Sequence, residues 1–162
     1  PLHNLLVRQA EQVRVPGFLF YSEIFQVTAP IRRLAALIAG HGYLVAVPEI
    51  YHEFETAGTA LAYDQAGVDR GNALKQEKEL RALDGDSEAV VKFLQAHPAA
   101  TGSLGAVGIC IGGHLSVRAA AKRREILAAA CFYGTKLANA QLSKESDDTL
   151  ALTAQTTPQL CS

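Results

Sequence analysis

Methionine is absent from all 162 residues, and a chain that opens on Pro1 is not expected to begin at its translational start. Also absent is any apolar run approaching the roughly 20 residues that a helical membrane span needs. The opening PLHNLLVRQAEQVRV lacks the basic-then-apolar order of a signal peptide. Cysteine is scarce. Cys110, Cys131 and Cys161 are an odd number without CxxC spacing, so neither a disulfide framework nor a zinc knuckle is indicated and reduced thiols are the simplest reading. Nothing in the sequence implies a metal or a cofactor. Charge of one sign is not in excess either: 15 Lys plus Arg against 16 Asp plus Glu leave a net charge of -1. No long-range field therefore draws in nucleic acid or an anionic membrane. The expectation is a soluble, cytoplasmic protein with a small-molecule partner.

What is present is apolar and alternating. With 49% hydrophobic and 19% charged residues the chain can bury one core, so a single domain over 1–162 is expected. GFLFYSEI (17–24) reads as a buried strand ending at Ser22 and Glu23. Thr28 and Pro30 open a helix whose apolar positions Ile31, Leu34, Ala35, Ile38 and Ala39 recur at helical spacing, until Gly40 and Gly42 stop it. YLVAVP (43–48) is a second buried strand. Residues 49–74 lack clean periodicity and read as a long surface excursion. An amphipathic helix is expected from Lys75 to Gln95, interrupted near Gly85. LGAVGIC (104–110) is a third strand, Gly112 to Arg124 a helix, and Ile126 to Gly134 a fourth strand, with one weak helical stretch near Asp148 to Ala154. Strands alternating with helices predict an α/β class: a doubly wound, mostly parallel sheet whose ligands sit at the carboxyl ends of the strands. Glu23 and Cys110 both stand at such ends.

The segment Gly108-Ile109-Cys110-Ile111-Gly112 has the G-x-nucleophile-x-G form of a nucleophile elbow, with Cys in the central place. The glycines would let the following helix pass close to the strand, and the positive end of that helix favours a thiolate. The N–H of Ile111 can serve an oxyanion. The same residues also suit a tight turn around a buried, inert Cys, whereas G-x-C-x-G-G matches neither common phosphate-binding pattern.

Three stretches, SEIFQV (22–27), VAVPEIY (45–51) and GAVGICIGGHL (105–115), together resemble the dienelactone hydrolases, in that family's order. The resemblance implies an α/β-hydrolase-type fold and a Cys-His-Asp mechanism that opens a lactone or ester through an acyl-enzyme. It places the nucleophile at Cys110, a Glu that helps form the thiolate at Glu23, and oxyanion donors at the N–H groups of Ile24 and Ile111. It also suggests Arg70 as a holder of a substrate carboxylate, a position that equally suits a solvated loop Arg. Tyr51 and Tyr63 could line the same pocket, but a Tyr in such a loop more often packs its ring with the hydroxyl in water, and neither is assigned to the site. The family's Asp and His follow later strands, and no residue here matches either. His114, four positions after Cys110, is expected to cap or pack locally. The expectation is thus a C-terminally incomplete domain with an uncovered sheet edge through which copies could associate. Its readings are a thiol hydrolase, a catalytically inactive scaffold that binds a small molecule or partner, and, more weakly, a redox-sensing thiol.

Overall fold

The structure is a computed structural model that describes residues 4–7, 14–139 and 141–155. Its elements run β1 (Asn4–Val7), β2 (Val15–Tyr21), α1 (Ala29–Gly40), β3 (Leu44–Pro48), α2 (Gln65–Glu77), α3 (Leu80–Ala96), β4 (Ala100–Ile109), α4 (Ile111–Lys122), β5 (Ile126–Phe132) and α5 (Thr149–Gln155). The strands form one sheet in the order β1-β3-β2-β4-β5. Strands β3, β2, β4 and β5 pair in parallel, while β1 adds antiparallel to β3, Asn4 opposite Pro48. The expected doubly wound, mostly parallel α/β architecture is thus the one observed.

Alternation along the strands divides the apolar residues between two faces. Leu19 and Tyr21 of β2, with Leu44 and Ala46 of β3, point to the side packed by Leu83, Val90, Val91 and Leu94 of α3 and by Leu115 and Ala119 of α4. Phe20, Val45, Val47 and Val107 point the other way, onto Ile31, Ala35 and Ala39 of α1. Spacing of three and four puts Leu83, Val90, Val91 and Leu94 on one stripe of α3. Each such aliphatic side chain taken out of water contributes about 1.5–3 kcal/mol. Among the described residues, no helix is long and apolar enough to cross a membrane.

Several sequence expectations need correction. The excursion over 49–74 ends in helix α2, opened by Asp64, whose side chain accepts the Gly67 N–H at 2.8 Å. Its buried residues are Gly67, Gly71, Leu74 and Lys75, so no row of large apolar side chains betrays it. The break in the next helical region falls at Lys78 and Glu79, and α3 runs unbroken through Gly85, which is solvent-exposed and has open space around it. Strand β4 begins at Ala100, ahead of the expected Leu104, and β1 lies where no element was anticipated. Thr28 precedes α1 but makes no side-chain cap; its hydroxyl pairs with Tyr63 Oη at 2.8 Å. Cys161 falls outside the described residues.

Near the end of the chain, Arg118 on α4 pairs bidentately with Asp84 of α3 at 2.7 and 2.9 Å and reaches Asp148 at 2.7 Å, tying α3, α4 and the start of α5 together. Among the described residues strand β5 lies at the far edge of the sheet, and Leu127, Phe132 and Tyr133 in or beside it are exposed.

Candidate active site

The parallel order 3-2-4-5 reverses direction between β2 and β4, and the crevice beyond such a reversal is where α/β sheets bind ligands. Register fixes what meets there. Tyr21 pairs with Gly108, so Glu23 and Cys110, each two residues further on, leave adjacent strands at the same height.

Cys110 caps α4 with φ 60 and ψ -121, a left-handed conformation that a non-glycine residue adopts at a cost of about 1–3 kcal/mol. The surroundings hold it there. Its N–H donates to the Phe132 carbonyl at 2.9 Å, and its carbonyl accepts from Gly113 at 3.1 Å and Thr135 at 3.2 Å. A Cβ on Gly108 would collide with the carbonyl of Gly112, and one on Gly112 with the carbonyls of Tyr21 and Ser22. The two flanking glycines are therefore steric requirements of the turn. The half-buried sulfur contacts the Thr135 hydroxyl at 3.8 Å. The Ile111 N–H, at the first position of α4, is among the donors that a helix start leaves without an intrahelical partner.

The opposite wall is the turn 22–27. Gln26, also left-handed at φ 64, is buried, and its side chain braces the turn: Nε2 donates to the Thr59 carbonyl at 3.1 Å, while Oε1 accepts the Tyr51 N–H at 3.3 Å. The Ile24 carbonyl is packed so closely on α2 that a Cβ at Gly71 would lie 2.8 Å from it. Glu23 accepts a hydrogen bond from the Tyr63 phenol, and burial together with the Glu23 carboxylate raises the pKa of that phenol. Arg70, on α2, pairs through Nε with Glu55 at 2.7 Å.

His114 packs locally, as its position suggested. It is fully buried, with Nδ1 3.0 Å from the Thr135 carbonyl and Nε2 3.3 Å from Asp147 Oδ1. Burial pushes its pKa below the usual imidazole value, outweighing Asp147 and the Thr135 carbonyl, which favour the proton. Burial acts upward on the Asp147 carboxyl, but hydrogen bonds from Thr149 and Leu142 and the His114 charge together hold it below the usual carboxylate range.

Two residues that sequence reasoning did not assign to the site complete the surroundings. Tyr51, three residues past β3, is fully buried, and its hydroxyl has no hydrogen-bond partner among the described residues. Lys75, one turn after Gly71 on α2, is only 8% exposed. A Tyr in a loop and a Lys on a helix ordinarily read as solvated, so the sequence assigns Tyr51 a wet hydroxyl and does not mark out Lys75.

Away from the strand ends, His52, Glu53 and Asp86 form the one grouping among the described residues with metal-ligand spacing. The buried Lys78 ammonium donates to Glu53 and, at 2.7 Å, to Asp86, so the charge a cation would bring is already supplied by the chain.

The dienelactone hydrolase family model matches residues 2–157. A Saccharomyces cerevisiae protein assigned as a carboxymethylenebutenolidase is 40% identical over 138 residues, 85% of this chain and 50% of that one. The carboxymethylenebutenolidase of Pseudomonas putida is 31% identical over 118 residues, 72% of this chain and 50% of the enzyme. The chain thus spans about half the length of the curated relatives it matches. A crystal structure from Klebsiella pneumoniae, assigned to the dienelactone hydrolases, superposes with a TM-score of 0.67 at 20% identity, covering 94% of this chain and 72% of that one, a likeness of fold.

Proposed function

This chain belongs to the dienelactone hydrolase family, and from that membership we propose that it carries the nucleophile side of a carboxylic ester or lactone hydrolase. The observation that supports this best is the strained, glycine-flanked backbone of Cys110 at the strand-order reversal. In this reading the Cys110 thiolate attacks the carbonyl carbon, and the developing oxyanion is received by the N–H groups of Ile24 and Ile111. As the C–O bond breaks, the leaving oxygen takes up a proton; in a lactone it remains tethered to the acyl group. Water then cleaves the thioester and frees the acid. Glu23 assists thiolate formation, and Arg70 exchanges Glu55 for a substrate carboxylate. No described residue is given the role of general acid or water-activating base, and His114 is unsuited to it because both ring nitrogens already face acceptors. A cytoplasmic setting, which keeps thiols reduced, fits a cysteine nucleophile, and the near-zero net charge fits a small substrate better than nucleic acid. The exposed edge of β5 is the place where two copies would associate.

The test is hydrolysis of a dienelactone and of a nitrophenyl ester by the protein and by Cys110→Ala, with released acid counted over many turnovers. Multiple turnovers lost in Cys110→Ala support the hydrolase; equal rates in the two proteins refute it. The engaged state of His114 favours one second reading, a scaffold that is acylated without turning over, and a single stoichiometric burst would select it.

A further inference from the structure

Two buried polar groups near Cys110 have no evident structural task. A buried hydroxyl without a partner costs about 1–3 kcal/mol, and the Tyr51 phenol is such a group although its backbone N–H is anchored on Gln26. Lys75 is largely buried, yet among the described residues its ammonium makes neither a hydrogen bond nor an ion pair. That contrasts with buried Lys78, which is paired with two carboxylates. Both groups stand on segments that border the turn 22–27. Tyr51 follows the carboxyl end of β3, and Lys75 lies one turn beyond the glycine that packs on Ile24. Burial and the charge of Cys110 together raise the pKa of the Tyr51 phenol. Burial lowers the Lys75 ammonium from its ordinary value, while Cys110 and Asp147 act to retain its proton and Lys136 acts against it.

We propose that Tyr51 Oη and Lys75 Nζ are positioning residues that stabilise the negative charge of the Cys110 thiolate, the first as a dipole and the second as a charge. This extends the role given above to Cys110, and it does not require ester cleavage. The other groups around the sulfur cannot do the same work. Thr135, after β5, is neutral; Glu23, after β2, offers an acid that can carry only negative charge and takes its bond from Tyr63; His114, on α4, is turned to Asp147. An unpaired cation and a free phenolic O–H are what a thiolate lacks in their absence.

The experiment is carbamoylmethylation of the intact protein by iodoacetamide across pH 5–10, with each cysteine followed by peptide mass spectrometry and Cys131 as internal reference. Lys75→Met is expected to displace the Cys110 alkylation curve upward by about one pH unit, and Tyr51→Phe by about half a unit. Lys75→Arg should restore most of the shift, and the Cys131 curve should stay fixed. Tyr51→Phe removes only an unpartnered hydroxyl, so its urea midpoint should equal or exceed that of the parent; a merely structural tyrosine would give a lower midpoint and an unmoved curve. Superimposable Cys110 curves in the parent, Lys75→Met and Tyr51→Phe would overturn the proposal. They would leave the hydrolase reading standing, because that reading is judged by turnover.

Discussion

The Tyr63 phenol donates its hydrogen bond to Glu23, the carboxylate that leaves the sheet at the same height as Cys110, while the Cys110 sulfur rests against Thr135. The acid and the sulfur are thus neighbours by register with separate partners.

Removing the phenol should release the carboxylate. Tyr63→Phe is expected to speed Cys110 alkylation at pH 7 by about threefold to tenfold, the value of one hydrogen bond to a charged acceptor in a partly solvated place. Glu23→Gln should slow it. If both variants slow the reaction alike, Tyr63 presents Glu23 to the sulfur instead of withholding it.

Two glycines in helices should answer oppositely to alanine. Gly85, exposed in the middle of α3 with open space around it, gains helix propensity, so Gly85→Ala should stabilise by about 0.5–1 kcal/mol. At Gly112 the new methyl meets the carbonyls of Tyr21 and Ser22, and Gly112→Ala should cost about 1–3 kcal/mol or more. Urea midpoints measured on the pair decide both signs.

His114 should make stability pH-dependent. Its imidazole has a folded-state pKa below the ordinary 6.5 because it is buried, so the unfolded chain binds the extra proton first. Stability is then full above that value and declines as the pH falls through it. The lowered carboxyl of Asp147 adds loss of the same sign only further down, below 3.8. Urea midpoints between pH 7.5 and 5 should fall for the parent and fall less for His114→Gln. Equal slopes would mean that another group governs the acid side.

The strands were legible because three of them, LFY, LVAVP and LGAVGI, are continuous apolar runs that burial on both faces demands. The elbow was legible because its glycines are obligatory. Helix α2 was not, since its buried face is two glycines, a leucine and a lysine shaped by the Ile24 carbonyl and the Ala62 backbone, relations between segments that no helical period encodes. Gly85 suggested a break because glycine weakens a helix, yet Val90, Val91 and Leu94 on the buried stripe outweigh one exposed glycine. Glu23 and Cys110 came from the sequence pattern. Gln26 and Lys75 did not, and Tyr51 was expected with its hydroxyl in water, because burial reverses the usual expectation for each of those residue types.

The Cys110 N–H hangs on the Phe132 carbonyl and its carbonyl is shared between Gly113 of α4 and the Thr135 N–H, so the strained residue is held in part by β5 and the loop after it. The stiffness of the elbow therefore depends in part on that of the sheet's margin. Whatever pairs along β5 would damp the fraying of that margin, and the sharpness with which the sulfur is aimed would become a property of the sheet's width.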